Sequence, residues 1–204
     1  MRPPPGQGDI PLTPWALERM KAERPNNEDF RETTDPSLKY ADPNGYPRIS
    51  MHPMKFKLVQ TEDYIYQLWE YNQNWRQITM NKPHLEPALI REAWYGNAVG
   101  KWDGETLVVD SIGYIGSTWL DSVAHPHTED LHIVERIHRD GETLVFDFTF
   151  DDPKAYTKPW SAQLTYKLVH DGTMIEEIYT MSNELRFRER FRQLQQAPPI
   201  PIRR

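Results

Sequence analysis

The sequence contains no cysteine, which excludes disulfide bonds, thiolate nucleophiles and cysteine-ligated zinc. It also lacks an apolar run long enough to span a membrane, and no charged and then apolar leader opens the chain. Its formal net charge is -6, and its basic residues are interspersed with acidic ones, whereas a nucleic-acid surface needs concentrated lysine and arginine. The sequence therefore predicts a soluble protein without a membrane or nucleic-acid partner.

The motifs of several large enzyme classes are missing as well. There is no Gly-x-Gly-x-x-Gly or P-loop for nucleotides, no His-Glu-x-x-His for a zinc protease and no Gly-x-Ser-x-Gly for a serine hydrolase. These three classes therefore lack support, and we predict that the protein works without a cofactor.

A chain of 204 residues corresponds to one domain with appended arms. We predict an irregular N-terminal arm at 1–54 that wraps the body, a β-barrel at 55–183, and a C-terminal helix and tail at 184–204. Within the arm, Thr13 is placed to cap a short helix and Pro14 to begin it. The arms leave the central region to form the body of the fold.

Alternating β-branched and aromatic residues dominate that central region. They predict nine strands, at 56–60, 64–71, 75–80, 94–102, 106–114, 132–139, 143–150, 160–169 and 174–182. Asp-Gly dipeptides at 103–104, 140–141 and 171–172 predict three hairpins. Because so little helix remains, the sheet must hide its edges by closing on itself. The predicted fold is mainly all-β, an antiparallel meander closing into a lipocalin-like barrel that can enclose one small ligand.

The segment richest in chemistry is a proline-interrupted stretch that carries Asp121, His125, His127 and Glu129. Imidazole titrates near neutrality and a neighbouring carboxylate can orient it, so one histidine with Asp121 or Glu129 is a candidate acid–base pair. His125, His127 and Glu129 could instead form a two-histidine, one-carboxylate metal site. As a third alternative, the histidines cap turns and meet solvent. The metal-free acid–base role is the leading hypothesis.

Three charged residues of the predicted sheet form a second group of candidates. Glu135 lies on a predicted strand, where an inward carboxylate needs a charged partner. Arg76 is the candidate partner of Glu135, or else it is held by Glu70. Buried ion pairs are structural as often as they are functional. We predict that Glu70, Arg76 and Glu135 contact substrate, with a structural role as the alternative.

Aromatic residues and a polar loop complete the predicted site. Tyr156 and Lys158 lie in a loop at 151–160, from which they could reach over a pocket as proton donor and anion clamp. The alternative is a long hairpin loop that its prolines stiffen. Trp75, Trp119 and Trp160 are candidate walls of a cavity, and the alternative for each is an ordinary place in the core.

These residues favour a small β-barrel enzyme that acts on a hydrophobic or aromatic small molecule by cofactor-free acid–base catalysis. The reaction would be an elimination, hydration, isomerisation or cyclisation. His125 or His127 would be the base, Asp121 and Glu129 the orienting or acidic groups, and Tyr156 a proton donor. A non-catalytic ligand carrier, a metal-dependent enzyme and a purely structural module stay open as alternatives. The predicted partner is a small molecule, and a homo-oligomer is left open.

Several longer motifs carry a resemblance to a known family. The stretches at 100–114, 118–121, 125–129 and 151–160 resemble those of a family of small, usually exported, β-rich bacterial proteins, and the resemblance extends over most of 12–183. The family brings no established reaction with it. Its members usually carry two cysteines, where this chain has Tyr40 and Met181. Without them and without a leader we expect a cytoplasmic protein if Met1 is the native start, whereas the family otherwise implies export to the periplasm.

Overall fold

The computed structural model describes residues 8–23 and 33–178, together with eight single positions between 180 and 193. The predicted C-terminal helix and tail therefore lie mostly outside the described residues. The helices are α1 (Pro14–Ala22) and α2 (Pro36–Lys39), with 3-10 helices at Arg48–Met51 and Pro87–Leu89. The strands are β1 (Phe56–Gln60), β2 (Tyr64–Trp69), β3 (Trp75–Met80), β4 (Asn97–Asp103), β5 (Thr106–Ile112), β6 (His132–Asp140), β7 (Thr143–Asp151) and β8 (Trp160–Lys167). No helix among the described residues is long and apolar enough to cross a membrane.

The strands form one eight-stranded sheet in sequence order, curled into a half-barrel. The predicted fold class, a mainly β lipocalin-like meander with a short N-terminal helix, is confirmed. One pair departs from the antiparallel pattern, because β3 and β4 run parallel over three residue pairs. The connection at 81–96 is long enough for the crossover that a parallel pair requires. No ladder joins β1 to β8 within the described part of the chain, so the curl is open along this seam.

The core lies on the concave face of the sheet and follows the alternation of the strands. Phe146, Phe148 and Phe150 of β7 are nearly fully buried, as the sequence predicts for this face. Their rings stack in sequence, with centroids 6.0 Å and 5.7 Å apart. Burying one such side chain stabilises a fold by about 1.5–3 kcal/mol. This row of rings is therefore a main stabilising contact of the half-barrel.

The third predicted hairpin does not form. Gly104 and Gly141 adopt the left-handed backbone that tight hairpin turns use, with φ of 61° and 58°, whereas Gly172 is not among the residues with positive φ. Residues 174–178 contain no strand. Instead, Glu70 accepts a hydrogen bond from the backbone N–H of Ile175 at 3.0 Å. The segment after β8 is thus held near the end of β2 and does not pair with β8.

The arm before β1 supplies part of the core. Tyr46 is fully buried, and its ring lies 6.2 Å from that of Trp69 and 6.1 Å from that of Phe148. Behind it, Arg48 donates to both carboxylate oxygens of Asp35, at 2.9 Å and 2.5 Å, in a buried bidentate pair. Residues of the arm therefore pack into the core of the half-barrel.

Helix α1 is tied to the loop between β7 and β8. The Thr13 hydroxyl accepts from the backbone N–H of Ala16 at 3.2 Å, which confirms the predicted N-cap. The same residue donates to the carbonyls of Lys154 and Ala155, at 2.7 Å and 2.9 Å. Ala16 is completely buried. These contacts position the loop at 151–159 beside the histidine-bearing segment.

Candidate functional site

The two predicted histidines lie in a long loop between β5 and β6, residues 113–131, which we call the histidine loop. Trp119 and Pro126 form an isolated antiparallel bridge within it, and the N–H of Leu120 donates to the carbonyl of His125 at 2.9 Å. The loop thus folds back on itself as a tight reversal. This reversal brings Asp121 against His125.

Asp121 and His125 form a hydrogen-bonded dyad. Oδ2 of Asp121 lies 2.6 Å from Nδ1 of His125, and its Oδ1 accepts from the backbone of Val123 and of His125. Burial alone would raise the pKa of Asp121, but the hydrogen bond and charge of His125 lower it to about 2. Because a carboxylate only accepts, Nδ1 carries the proton, and in the neutral form of the ring Nε2 is left as an acceptor. The His125 side chain is 13% exposed, so this nitrogen belongs to a ring that solvent reaches.

His127 has a different environment. It is 1% exposed, its Nδ1 donates to the carbonyl of Thr128 at 3.1 Å, and its Nε2 accepts from the Thr118 hydroxyl at 2.7 Å. Burial lowers the pKa of His127, which keeps the ring neutral. Both nitrogens are occupied by loop contacts. His127 therefore holds the loop together, while His125 presents the accessible ring.

The other predicted members of the histidine site are spread around the loop. Glu129 is exposed, and so is Lys158. Tyr156 is buried, and its hydroxyl donates to the carbonyl of Pro126 at 2.8 Å. Trp119 is buried, and the guanidinium carbon of Arg48 lies over its ring, 5.3 Å from the ring centroid. Within the described residues no group of three or more histidine and carboxylate side chains is arranged to hold a metal ion.

Asp152, which sequence reasoning missed, organises the junction between the two loops. It is fully buried and accepts from the N–H of Thr128 at 2.6 Å and from its hydroxyl at 3.1 Å. It also accepts from the backbone N–H groups of Lys154 and Ala155, at 3.2 Å and 3.1 Å. The sequence signal that could have indicated this role is the Asp-Pro dipeptide at 152–153. An aspartate directly before a proline often caps a helical turn, with its carboxylate accepting from the backbone N–H groups two and three residues later.

A second polar group lies inside the half-barrel, around the ion pair of Arg76 and Glu135. Nη2 of Arg76 lies 2.7 Å from Oε1 of Glu135, and the two side chains are 1% and 0% exposed. The hydroxyl of Tyr46 donates to the other Glu135 oxygen, and the Tyr46 ring lies 3.9 Å from the guanidinium carbon. Arg76 also donates to Gln67 at 3.1 Å and to Ser111 at 2.5 Å. We call these five residues the buried cluster.

Apart from the effect of burial, the charge of Glu135 raises the pKa of Arg76 and the pKa of Tyr46 within the buried cluster. Burial alone would lower the pKa of Arg76, but Glu135 beside it raises that pKa. Burial and the Glu135 charge both raise the pKa of Tyr46 well above its usual range. The cluster therefore consists of a charged guanidinium, a carboxylate partner and a neutral phenol. Glu70, the other predicted partner of Arg76, instead accepts from the backbone of Lys55 and Ile175, both at 3.0 Å.

A cleft of about 920 Å³ opens beside the buried cluster. It lies between the first half of β3 and the segment 92–97, because the β3–β4 ladder covers only the last three residues of β3. Arg76 lines this cleft, and four aromatic side chains line it as well, Tyr64, Trp75, Trp94 and Tyr95. Such a volume is typical of small-molecule sites. The predicted residues Arg76 and Trp75 thus meet at one opening in the sheet.

Two buried polar atoms of cleft-lining residues lack a hydrogen-bond partner within the part of the chain that is described. They are Nε of Arg76 and the hydroxyl of Tyr95. Burial raises the pKa of Tyr95, so its hydroxyl stays protonated. A buried donor without a partner is unfavourable by about 1–3 kcal/mol. The residues Arg76 and Tyr95, which line the cleft, therefore each carry an unpaired hydrogen-bond donor that is shielded from solvent.

One histidine that lines the cleft, His84, shares a carboxylate with a second histidine, His132, and sequence reasoning missed both. His84 lines the cleft, and its Nε2 lies 2.8 Å from Oδ1 of Asp110 on β5. Nε2 of His132 on β6 lies 3.0 Å from the same oxygen. Burial alone would raise the pKa of Asp110, but the hydrogen bonds from His84 and His132 lower it. This contact ties the connection at 81–96 to the sheet.

No family model, no curated protein and no solved structure matches this chain. The resemblance to exported bacterial proteins in its motifs at 100–114 and 151–160 stays a prediction. What the protein does has to be inferred from the contacts of its own side chains, above all those around the cleft and the histidine loop.

Proposed function

We propose that this protein binds a small aromatic molecule in the cleft between β3 and the segment 92–97. The observation that carries the proposal is the pair of buried donors without partners, on Arg76 and Tyr95, beside a cavity of about 920 Å³. An aromatic ring fits because four of the lining side chains are aromatic. Trp75 is 58% exposed, and a ligand would cover it.

The charge of the buried cluster narrows the class of ligand. Glu135 balances the charge of Arg76, so the cluster offers a hydrogen bond without a net positive charge. A neutral oxygen acceptor such as a carbonyl therefore suits the site better than a free anion, whose charge would be left uncompensated on burial. The proposed ligand is an aromatic molecule with a carbonyl group.

The test uses two matched probes, 2-acetylnaphthalene and 2-ethylnaphthalene, which differ in the carbonyl. Binding is measured by quenching of tryptophan fluorescence and by calorimetry. We expect the carbonyl probe to bind at least about tenfold more tightly, since it satisfies donors that otherwise stay unpaired. Equal affinity of the two probes, or no binding of either, would contradict the proposal.

Variants then locate the site. Trp75→Ala should weaken binding of 2-acetylnaphthalene by about tenfold or more, because truncating an aromatic anchor removes its contact area. Trp102→Ala is the matched control, since Trp102 is 47% exposed and does not line the cleft. Tyr95→Phe removes one proposed donor and should reduce the preference for the carbonyl probe. If Trp102→Ala weakened binding as much as Trp75→Ala, the cleft would not be the site.

A second candidate function, acid–base catalysis, is favoured by the Asp121–His125 dyad. The 2.6 Å contact fixes the ring tautomer and leaves Nε2 of a solvent-accessible imidazole as a base. A suitable probe is 5-nitrobenzisoxazole, in which a base removes the ring C–H proton while the N–O bond breaks to give a nitrile and a phenolate. The phenolate is followed by its absorbance. This reaction belongs to the elimination class, one of those that the sequence favours.

The dyad makes a specific prediction for this probe. His125→Ala should reduce the rate to that of solution imidazole or less, and Asp121→Asn should reduce it because the ring loses its orienting carboxylate. His170→Ala is the control, since that side chain is exposed and distant in sequence. A wild-type rate equal to that of His125→Ala would remove the catalytic candidate and leave the ligand-binding proposal intact.

A further inference from the structure

The open seam between β1 and β8 contains a second cavity, of about 650 Å³, which we call the seam cavity. Its lining comes from 52–58, from the β6–β7 turn region at 139–144 and from 165–174. None of these residues lines the cleft between β3 and the segment 92–97. The seam cavity is therefore a separate site, and a ligand there would bind whether or not the cleft holds an aromatic molecule.

The floor of the seam cavity is apolar and fixed in position. The rings of Phe56 and Tyr166 meet edge to face, 4.8 Å apart, across the gap between β1 and β8. The Tyr166 hydroxyl donates to the carbonyl of Ser50 at 2.8 Å, so the ring presents its apolar part to the cavity. Leu144 lies directly across from Tyr166 in the β7–β8 register and on the same face. The side chains of this floor, Phe56, Leu144 and the ring of Tyr166, thus offer hydrocarbon surface.

The contrast with the cleft identifies the kind of ligand that fits. Among the described residues, a few buried side-chain polar atoms have no hydrogen-bond partner. Two of these atoms belong to residues that line the cleft, and none belongs to a residue that lines the seam cavity. Leu58, Leu168 and Val169 line the cavity and are 38%, 51% and 51% exposed. An apolar chain would cover this surface without needing hydrogen bonds from the cavity floor.

The rim of the seam cavity is basic, although the protein as a whole carries a net charge of -6. Its cations are Lys55, Lys57, Arg139 and Lys167, against two carboxylates, Glu142 and Asp171. Asp171 and Lys55 interact electrostatically, and Glu142 lies 3.1 Å from Nε2 of His170. Within the described residues, Lys57, Arg139 and Lys167 have no carboxylate at ion-pair distance. Lys167 donates to the Thr143 hydroxyl at 2.6 Å, and strand alternation places Lys57 and Lys167 on the face opposite to Phe56 and Tyr166.

Arg139 is the best placed of the three. In the strand register it lies opposite Leu144, which lies opposite Tyr166, so the three form one row across β6, β7 and β8 on the same face. Its Nε donates to the carbonyl of Gly141 at 2.6 Å, which anchors the side chain and leaves its two terminal nitrogens for another partner. A cation therefore stands at the end of an apolar row.

We propose that the seam cavity binds one amphiphilic carboxylate, a fatty-acid-like molecule whose chain lies on the Phe56, Leu144 and Tyr166 floor and whose head meets Arg139. A strand from another chain is the competing occupant of an open sheet edge. Lys57 on β1 and Lys167 on β8 oppose it, because lysines on edge strands disfavour strand addition. The charge at the rim thus favours a small anion.

The experiment measures binding of dodecanoate, below its micelle concentration, by calorimetry and by amide chemical shifts. Dodecanol carries the same chain without the charge, and butanoate carries the charge with a short chain. We expect one dodecanoate per chain, with butanoate weaker by more than about tenfold, because each buried methylene contributes to affinity. Arg139→Gln should weaken dodecanoate binding about fivefold, the effect of one partly exposed charge contact, and leave dodecanol unchanged.

Arg136→Gln is the matched control, because Arg136 lies on the same strand, three residues away and on the opposite face. It should bind dodecanoate like the wild type, and so should Trp75→Ala in the cleft. Two affinity results would overturn the proposal: equal effects of the two arginine variants, or butanoate binding as tightly as dodecanoate. Two other results would overturn it as well. One is dimer formation on adding dodecanoate, and the other is cosedimentation with phosphatidylglycerol vesicles in place of binding free dodecanoate. Circular dichroism confirms that each variant is folded.

Discussion

Glu135 and Arg76 form a buried ion pair, and removing both charges together should cost less than the sum of the costs of neutralising each member alone. The pair lies inside the half-barrel, with the two side chains 0% and 1% exposed. Glu135→Gln leaves a guanidinium charge in the core among neutral partners. Arg76→Met leaves a carboxylate whose remaining contact is the Tyr46 hydroxyl. The double variant removes both charges at similar volume.

The size of each effect depends on the contacts that remain. Breaking a buried pair by removing one partner costs about 3–5 kcal/mol, whereas replacing both partners by apolar groups is often close to neutral. In Glu135→Gln the amide oxygen can still accept from Arg76, so we expect a loss of about 3 kcal/mol. Arg76→Met removes the donor as well as the charge, so we expect about 5 kcal/mol. The double variant should lose less than the sum by at least about 2 kcal/mol.

The assay is urea unfolding at neutral pH, followed by circular dichroism and tryptophan fluorescence, with coincident transitions as the check on two-state behaviour. Arg136→Met is the control, since Arg136 pairs with Asp103 at 3.0 Å on the surface, where both side chains are more than half exposed. Its loss should stay below about 1 kcal/mol. Single variants that lose no more than this control, or a double variant that loses the full sum, would refute the assigned coupling.

Two further predictions concern the histidine loop. Burial lowers the pKa of His127 below its ordinary value of 6.5, so its contribution to stability is complete above that pH and is lost as the pH falls through 6.5 towards the folded-state pKa. His127→Gln should therefore flatten the fall in unfolding free energy between about pH 7 and about pH 5. The control variant His170→Gln should leave that fall unchanged. Parallel plots of unfolding free energy against pH for His127→Gln and the wild type would contradict this prediction. Asp152→Ala should cost about 3 kcal/mol by urea unfolding and speed hydrogen exchange of the Thr128 amide, because that amide loses its buried acceptor. The Ala155 amide should change less, since it also donates to the backbone carbonyl of residue 152. Unchanged exchange at Thr128 would show that the carboxylate does not hold the junction.

Local sequence signals predicted most of the strands. The eight strands of the sheet fall within a few residues of predicted ones, because alternation of apolar residues is a property of each strand alone. The hairpins at 103–104 and 140–141 formed with glycines in the left-handed region. The dipeptide at 171–172 carries the same signal, but Ile175 is held by Glu70, so a distant contact overrode a local preference.

The contacts within the candidate sites also differ in whether the sequence could predict them. Asp121 and His125 are four residues apart, so their contact could be anticipated from spacing. Arg76 and Glu135 are 59 residues apart, so the sequence indicates both as candidates but does not decide between Glu135 and Glu70 as the partner of Arg76. Tyr46, which is 89 residues from Glu135, was missed because nothing in the irregular arm indicates that its ring enters the core.

The residue pattern alone was sufficient for the mainly β class, the capped first helix, the buried face of β7 and the identity of the chemically richest loop, since each depends on neighbours along the chain. The tertiary structure was needed for the two cavities, the open seam and the separation of His125 from His127. These features arise where distant segments meet, at a three-residue parallel ladder and at two strand edges that do not pair. Such meetings depend on the packing of the whole chain, which no local pattern records.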